Sequence, residues 1–204
     1  RGRPHPDRRR ASAAARAARA IRFIEKYCRV PEGAHVGQPM KLDPFQKRFI
    51  KDVLDNKVLT TLAILSMARK NGKTALIAAI LLVFLVGPEA KRNSQIVSGA
   101  MSKDQAALVF ALACKMVQLS PKLAKVVKIV PSGKRLYGLP LNVEYRALAA
   151  DATTGQGLSP RLAILDEVGQ VRGPKSDFVE AIVTAQGAYD DALLIAISTQ
   201  APND

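Results

Sequence analysis

The residues best suited to chemistry lie between two apolar segments in the first half of the chain. Residues 59–66 are apolar with β-branched members, and residues 75–86 form an unbroken apolar run. Between them stands Gly72-Lys73-Thr74, which places a lysine and a hydroxyl where a helix is expected to begin. Backbone N–H groups at a helix start bind phosphate, Lys73 would reach the β- and γ-phosphates, and Thr74 would hold Mg²⁺. The sequence therefore predicts a strand, a phosphate-binding loop and a helix.

The predicted loop departs from the standard phosphate-loop pattern at one position. Met67 stands where the first glycine of GxxxxGK[ST] is expected. The tripeptide alone is common, so the alternative is a turn that merely starts a helix. The preceding strand and the following helix favour nucleotide binding. We predict that the whole loop binds nucleotide and that two members, Lys73 and Arg69, also serve catalysis; its residues are Arg69, Lys70, Asn71, Gly72, Lys73 and Thr74.

A second candidate site lies at the end of an apolar segment near the C-terminus. Residues 161–165 read as a buried strand, and Asp166 and Glu167 follow directly. Burying acids is costly, but α/β sheets bind ligands at the carboxyl ends of their strands. We predict that Asp166 holds Mg²⁺ through water and that Glu167 polarises the attacking water. The alternative is an acidic turn or helix cap.

Two further stretches could contact a nucleotide. Asp43-Pro44 predicts a helix through residue 54, and its first turn contains Phe45 and Gln46. The Gln46 amide could pair with adenine while Phe45 covers the ring, the alternative being an ordinary surface glutamine. The last predicted strand, 192–197, is followed by polar residues that could sense the γ-phosphate, namely Ser198, Thr199 and Gln200.

The alternation of strand and helix patterns predicts an α/β fold. We predict a P-loop NTPase of the ASCE type, with a mostly parallel sheet flanked by helices and a basic N-terminal helix. Further strands are expected over 94–99 and 141–149, a hairpin over 126–137, and helices over 102–119 and 176–188. The predicted organisation is a basic tail and helix over 1–40 and an ATPase domain over 41–204.

Positive charge is concentrated at the N-terminus. The chain carries a net charge of +14, and residues 1–29 hold ten Lys/Arg against two acids. This balance favours a nucleic-acid partner, the alternative being a solubilising tail. Cys28 and Cys114 are isolated, which argues against a zinc site. No membrane partner is predicted, because the 75–86 run is well short of the roughly 20 residues a span requires.

Taken together, these stretches resemble the ATPase domain of the large terminase subunit of tailed bacteriophages. Residues 69–74 look like that family's deviant phosphate loop, in which an arginine stands four residues before the lysine. Residues 162–167 resemble its metal-and-base strand, residues 198–201 its coupling motif, and Phe45-Gln46 its adenine motif. The likeness covers most of residues 40–200.

The resemblance implies ATP and Mg²⁺ as cofactors and double-stranded DNA as the translocated substrate. It also implies a homo-oligomeric ring, a pentamer in the family, that acts with the portal protein and a small terminase subunit in the host cell cytoplasm. Relatives usually continue into a lid and an RNase H-like nuclease, and no nuclease is predicted within residues 1–204.

One motif of the family differs in this sequence. Many relatives carry an arginine before a glycine ahead of the acidic strand, where it acts on a neighbouring subunit's ATP. Here Gln156-Gly157 takes that place, which leaves Arg146, Arg161 and Arg172 as candidates.

Two other functions fit part of the pattern. A superfamily-2-like helicase, or another nucleic-acid-dependent ATPase, would also use Gln46, the GKT tripeptide and the Asp166-Glu167 pair. A basic DNA-binding module with a purely structural phosphate loop is the alternative that is not an enzyme.

Overall fold

A mixed sheet forms the centre of the protein. The computed structural model describes residues 16–56, 58–67, 72–100, 103–149, 158–166 and 177–199, and seven strands in these ranges form one sheet. In chain order they are β1 (Leu62–Met67), β2 (Gln95–Ala100), β3 (Val127–Val130), β4 (Arg135–Gly138), β5 (Val143–Ala149), β6 (Pro160–Asp166) and β7 (Leu193–Thr199).

The strand order confirms the predicted, mostly parallel α/β sheet. Across the sheet the order is β1-β7-β6-β2-β5-β4-β3. The five strands from β1 to β5 in this order are parallel neighbours, whereas β4 and β3 are added antiparallel, as the predicted hairpin requires. The strand β7 lies between the strand that precedes the phosphate loop and the strand that ends in Asp166. The carboxyl ends of β1, β7 and β6 are therefore neighbours on the same side of the sheet.

The helices follow the predicted pattern with shifted ends. They are α1 (Arg16–Tyr27), α2 (Pro44–Leu54), α3 (Lys73–Leu85), α4 (Lys103–Gln118), α5 (Pro121–Ala124) and α6 (Asp177–Ala185), with 3₁₀ turns at Pro131–Gly133 and Gln186–Ala188. Pro121 opens α5, since proline suits the first helical position. None of the described helices is both long and apolar enough to cross a membrane.

The central helix α3 explains the unbroken apolar run. Every residue from 76 to 85 is buried, because the sheet lies on one side of the helix and other helices lie around it. The strand before it is shorter than predicted. Pairing with β7 begins at Leu62, opposite Leu194, and the side chain of Leu59 is half exposed.

The N-terminal helix α1 packs on the main core. Its residues Ala17, Ala20 and Ile24 are buried in the same apolar cluster as α2 and α3. The Arg16 guanidinium contacts the Glu89 carboxylate at 2.6 Å, and the Ala17 N–H donates to Asp55 at 3.0 Å. The described part of the basic helix is thus tied to the sheet-bearing part of the chain, while the boundary predicted at residue 40 stays a prediction.

The two faces of the sheet are covered unequally. Helices α1 to α4 pack around the large cluster on one face. On the other face α6 covers a smaller cluster that contains Val97, Ala163, Leu165 and Leu194. The strand β5 contributes Leu148 to that cluster, whereas β3 and β4 lie beyond it, at the far end of the sheet from β1.

Candidate nucleotide site

The phosphate loop ends in a left-handed glycine. Gly72 has φ = +68° and ψ = +14°, a conformation that side-chain-bearing residues rarely adopt, and it caps α3. Its carbonyl accepts the N–H of Leu76 at 3.0 Å, which is the first helical hydrogen bond. The N–H groups of the first turn are those that an α-helix leaves without intrahelical partners, and the helix dipole favours an anion beside them. Arg69, Lys70 and Asn71 lie outside the described residues.

Lys73 joins the phosphate loop to the last strand. Its Nζ donates to the backbone carbonyl of Ser198 at 3.2 Å. The contact is possible because β1 and β7 are parallel neighbours in register, with Ser66 opposite Ser198. Thr199 ends β7, although its side chain and Gln200 lie outside the described part of the chain. The structure thus brings together the predicted phosphate lysine and the start of the predicted coupling stretch.

Asp166 ends the second neighbouring strand at the same edge. It is the last residue of β6, lies opposite Ile197 of β7 and is 7% exposed. Since β7 alone separates β1 from β6, the two strand ends are about 10 Å apart, two inter-strand spacings. A carboxylate oxygen from Asp166 and a hydroxyl from Thr74 are hard oxygen donors, which fit Mg²⁺. Glu167 lies outside the described residues.

Gln46 is not an ordinary surface residue. It is 5% exposed, and its Oε1 accepts the backbone N–H of Asp43 at 3.0 Å, which fixes the amide at the start of α2. Its Nε2 lies 3.8 Å from the position that a Cβ on Gly72 would occupy. The predicted adenine reader therefore stands against the phosphate loop, with the N–H donors of its amide on that side. Phe45 beside it is 40% exposed, so its ring is accessible.

The structure contradicts one candidate for the trans-acting arginine. Arg161 is 3% exposed and stacks on the Phe84 ring, 5.1 Å from its centroid. It donates to both carboxylate oxygens of Asp191 at 2.9–3.3 Å and to the carbonyl of Glu89. Five residues of β6 place it about 16 Å from Asp166, toward the opposite edge of the sheet. Arg161 is therefore a buried structural residue, held by contacts within this chain.

The hydrogen bonds around Arg161 change the pKa of Asp191. Burial alone would raise the pKa of Asp191, but hydrogen bonds from Arg161 and Lys91 lower that pKa to about 2. The Lys91 ammonium is 2.7 Å from the same carboxylate. Sequence reasoning missed this network, because its members come from three separated segments. Of the other candidates, Arg146 is half-buried on β5, and Arg172 lies outside the described residues.

A mostly parallel sheet with a glycine-capped helix start beside two strand ends defines the P-loop NTPase class. Within that class, the family model described as "Terminase large subunit, ATPase domain" matches residues 44–203. The chain belongs to this family, which confirms the resemblance drawn from the motifs. Membership in an ATPase-domain family implies that the chain binds nucleotide.

Individual relatives agree with the family match. The chain is 66% identical over 189 residues to the "Terminase, large subunit" of Enterobacteria phage HK97, a match that covers 93% of this chain and 38% of the relative. The crystal structure of the HK97 large terminase superposes with a TM-score of 0.85 at 65% identity, over 93% of this chain and 39% of that one. The large terminase ATPase domain of Thermus phage P74-26 shares the fold, with a TM-score of 0.61 at 21% identity over 80% of this chain and 67% of that one. The chain thus spans about two fifths of the HK97 relative's length.

Proposed function

We propose that this chain is the ATP-hydrolysing motor part of a terminase that packages double-stranded DNA into a procapsid. The observation that carries the proposal is the hydrogen bond from Lys73 to the carbonyl of Ser198. This hydrogen bond supports the proposal, because it holds the ammonium group of Lys73 at the end of a strand that the family model includes. The name of the HK97 relative supports the packaging role.

Two elements would bind the nucleotide: the start of α2 and the phosphate loop. Gln46 would read adenine through its Nε2 and the second lone pair of Oε1, because Asp43 already uses the first. Phe45 would cover the ring. The loop residues would bind the phosphates through backbone N–H groups and cations, namely Arg69, Lys70, Asn71, Gly72, Lys73 and Thr74.

Hydrolysis would use the shared edge of β1, β7 and β6. Lys73 and Arg69 would stabilise charge that develops on the γ-phosphate. Thr74 and Asp166 would hold Mg²⁺, which would supply charge neutralisation on the phosphate oxygens. Glu167, the next residue after Asp166, would orient and deprotonate the attacking water. Ser198, Thr199 and Gln200 would sense the γ-phosphate and couple its loss to movement.

The proposed assembly is a homo-oligomeric ring, a pentamer, that acts with the portal protein and a small terminase subunit in the host cell cytoplasm. The net charge of +14 supports double-stranded DNA as the substrate. The family match favours the terminase over the superfamily-2-like helicase.

The test is ATP turnover by the purified chain, with and without duplex DNA. Lys73→Ala should lower turnover by about two orders of magnitude or more, the loss typical of removing a group that stabilises transition-state charge. Lys51→Ala is the matched control, because Lys51 is an exposed lysine on α2. Wild-type turnover in Lys73→Ala would remove the ATPase assignment. Absence of turnover in the wild-type protein would favour the non-enzymatic DNA-binding module.

A further inference from the structure

The antiparallel end of the sheet carries a second concentration of positive charge. Residues 119–149 contain six Lys/Arg and a single acid, Glu144. Three of these cations, Lys122, Lys125 and Lys128, are exposed. This stretch includes β3, β4 and β5 and is separate in sequence from the basic N-terminal segment.

The register of β3, β4 and β5 places three of the cations on one face of the sheet. Side chains that lie directly opposite on paired strands share a face of the sheet. Lys128 is opposite Tyr137, which is opposite Glu144, and Val130 is opposite Arg135, which is opposite Arg146. We call these six side chains the basic face. The intervening residues point the other way, and Val127, Leu136, Val143 and Tyr145 among them are buried.

The basic face contains an unfavourable pair. Arg135 and Arg146 stand directly opposite each other on β4 and β5, and like charges in that position destabilise a sheet. Glu144 lies 3.4 Å from Arg135 and offers one carboxylate to the pair. Lysines on edge strands commonly prevent aggregation, which accounts for Lys128 on β3. That explanation does not apply to the two arginines, because β4 and β5 are interior strands.

The arginine pair lies at the middle of β5, in the same sheet as the strand that ends in Asp166. Arg146 is three residues from the end of β5, and β5 runs parallel to β2 and β6. The strands β5 and β6 are two positions apart in the sheet, which corresponds to about 10 Å. Arg146 is opposite Val97 of β2, which is opposite Ala163 of β6, so an anion bound by the pair would lie level with the middle of the strand that ends in Asp166.

We propose that the basic face binds backbone phosphates of duplex DNA, with a phosphate relieving the repulsion between Arg135 and Arg146. The inference rests on the proposed function, because it assigns the DNA contact to a surface of the same chain. Arginine suits this role, since its planar guanidinium can donate two parallel hydrogen bonds to one phosphate. Phosphate contacts of this kind position a duplex without reading its sequence.

The test is the salt dependence of duplex-DNA binding by the purified chain. In Arg135→Gln/Arg146→Gln, the slope of log affinity against log salt should flatten by about 0.9, because the phosphate bound between the two arginines is no longer neutralised. The matched control is Arg48→Gln/Lys51→Gln, which removes two exposed charges from α2 on the other side of the sheet. The control should keep both the wild-type slope and the wild-type basal ATP turnover.

A variant that removes a negative charge from the basic face provides a second test. Glu144→Gln should tighten DNA binding, because it removes the acid from the basic face, whereas a purely structural role for this face predicts no gain. An unchanged slope in the arginine double variant, or an equal change in the control, would overturn the inference. If the arginine variant lowers ring assembly and leaves the slope unchanged, the face contacts protein and the inference fails. These results would leave the ATPase proposal standing; failure of the wild-type protein to bind duplex DNA would overturn both the inference and the proposed DNA substrate.

Discussion

Lys73 donates a hydrogen bond to the backbone carbonyl of Ser198, 3.2 Å away, although 125 positions separate the two residues in the chain. The acceptor is a main-chain oxygen at the end of β7, so the hydrogen bond depends on the position of the strand rather than on the identity of its side chain. The predicted phosphate-binding lysine and the start of the predicted coupling stretch are consequently joined by a hydrogen bond. A shift of either residue would therefore act directly on the other.

Asp166, which ends β6, and Glu167, the next residue in the sequence, should have separable roles. Glu167→Gln keeps the shape of the side chain and removes the base, so ATP binding should be normal while turnover falls by about two orders of magnitude or more. Asp166→Asn should instead weaken Mg²⁺-dependent nucleotide binding. Binding measured by nucleotide titration, with and without Mg²⁺, and turnover measured at saturating ATP distinguish the two. Equal binding defects in both variants would show that the roles are wrongly divided.

Replacing the glycine that caps α3 should strain the phosphate loop. Gly72→Ala must place a Cβ on a left-handed residue, which costs about 1–2 kcal/mol. The nearest atom to that Cβ, Nε2 of Gln46, would be at 3.8 Å, an ordinary contact, so backbone strain accounts for the destabilisation. We expect the free energy of unfolding to fall by about 1 kcal/mol, together with weaker nucleotide binding.

The control for this variant is Gly187→Ala. A Cβ at Gly187 meets nothing within 4 Å, and the residue lies in a 3₁₀ turn. Its free energy of unfolding should stay within about 0.5 kcal/mol of the wild-type value. Chemical denaturation of both variants measures the difference. A Gly72→Ala protein as stable as the control would contradict the left-handed conformation.

The ion pair between Asp191 and Arg161 should appear in the acid stability of the protein. Because the folded state lowers the pKa of Asp191 from 3.8 to about 2, its carboxylate stabilises the fold above pH 4. That contribution is lost as the pH falls from about 4 through about 2. Asp191→Asn should lower Tm at pH 7 and flatten the decline of Tm between these pH values.

Asp190, the exposed neighbour of Asp191, provides the control. Asp190→Asn changes the same charge at an exposed position and should leave Tm at pH 7 close to that of the wild type. Thermal unfolding followed by circular dichroism at several pH values supplies the measurement. Parallel Tm–pH curves for Asp191→Asn and the wild type would mean that the ion pair between Asp191 and the buried Arg161 does not stabilise the fold.

Deleting residues 1–15 tests the basic N-terminal segment. The cut stops before Arg16, because its ion pair with Glu89 and the buried Ala17 hold α1 on the core. The deletion removes Arg1, Arg3, Arg8, Arg9 and Arg10 and spares every predicted nucleotide residue. If this segment binds DNA, the salt slope should flatten by about 0.9 for each phosphate that the deleted arginines neutralised, with basal ATP turnover retained. A lower degree of assembly with an unaltered slope would instead indicate docking to protein.

The sequence alone determined the features that depend on neighbouring residues. Gly72-Lys73-Thr74 predicted a helix start after a strand, and Asp43-Pro44 predicted the start of α2, because capping and turn preferences act over a few residues. The apolar segments predicted the strands to within a few positions, since burial imposes its pattern along a single element. The family motifs are of the same local kind, which is why the terminase resemblance could be recognised from them.

Only the tertiary structure decided how these elements meet. The bond from Lys73 to Ser198 requires β7 to lie beside β1, and the opposed Arg135 and Arg146 require one particular register of β4 on β5. The same is true of Gln46 beside Gly72 and of Arg161 between Glu89 and Asp191. An apolar strand pattern specifies which side chains are buried, but it does not specify the neighbouring strand. Strand order depends on packing between distant segments, so contacts across the sheet emerge only when the whole chain is folded.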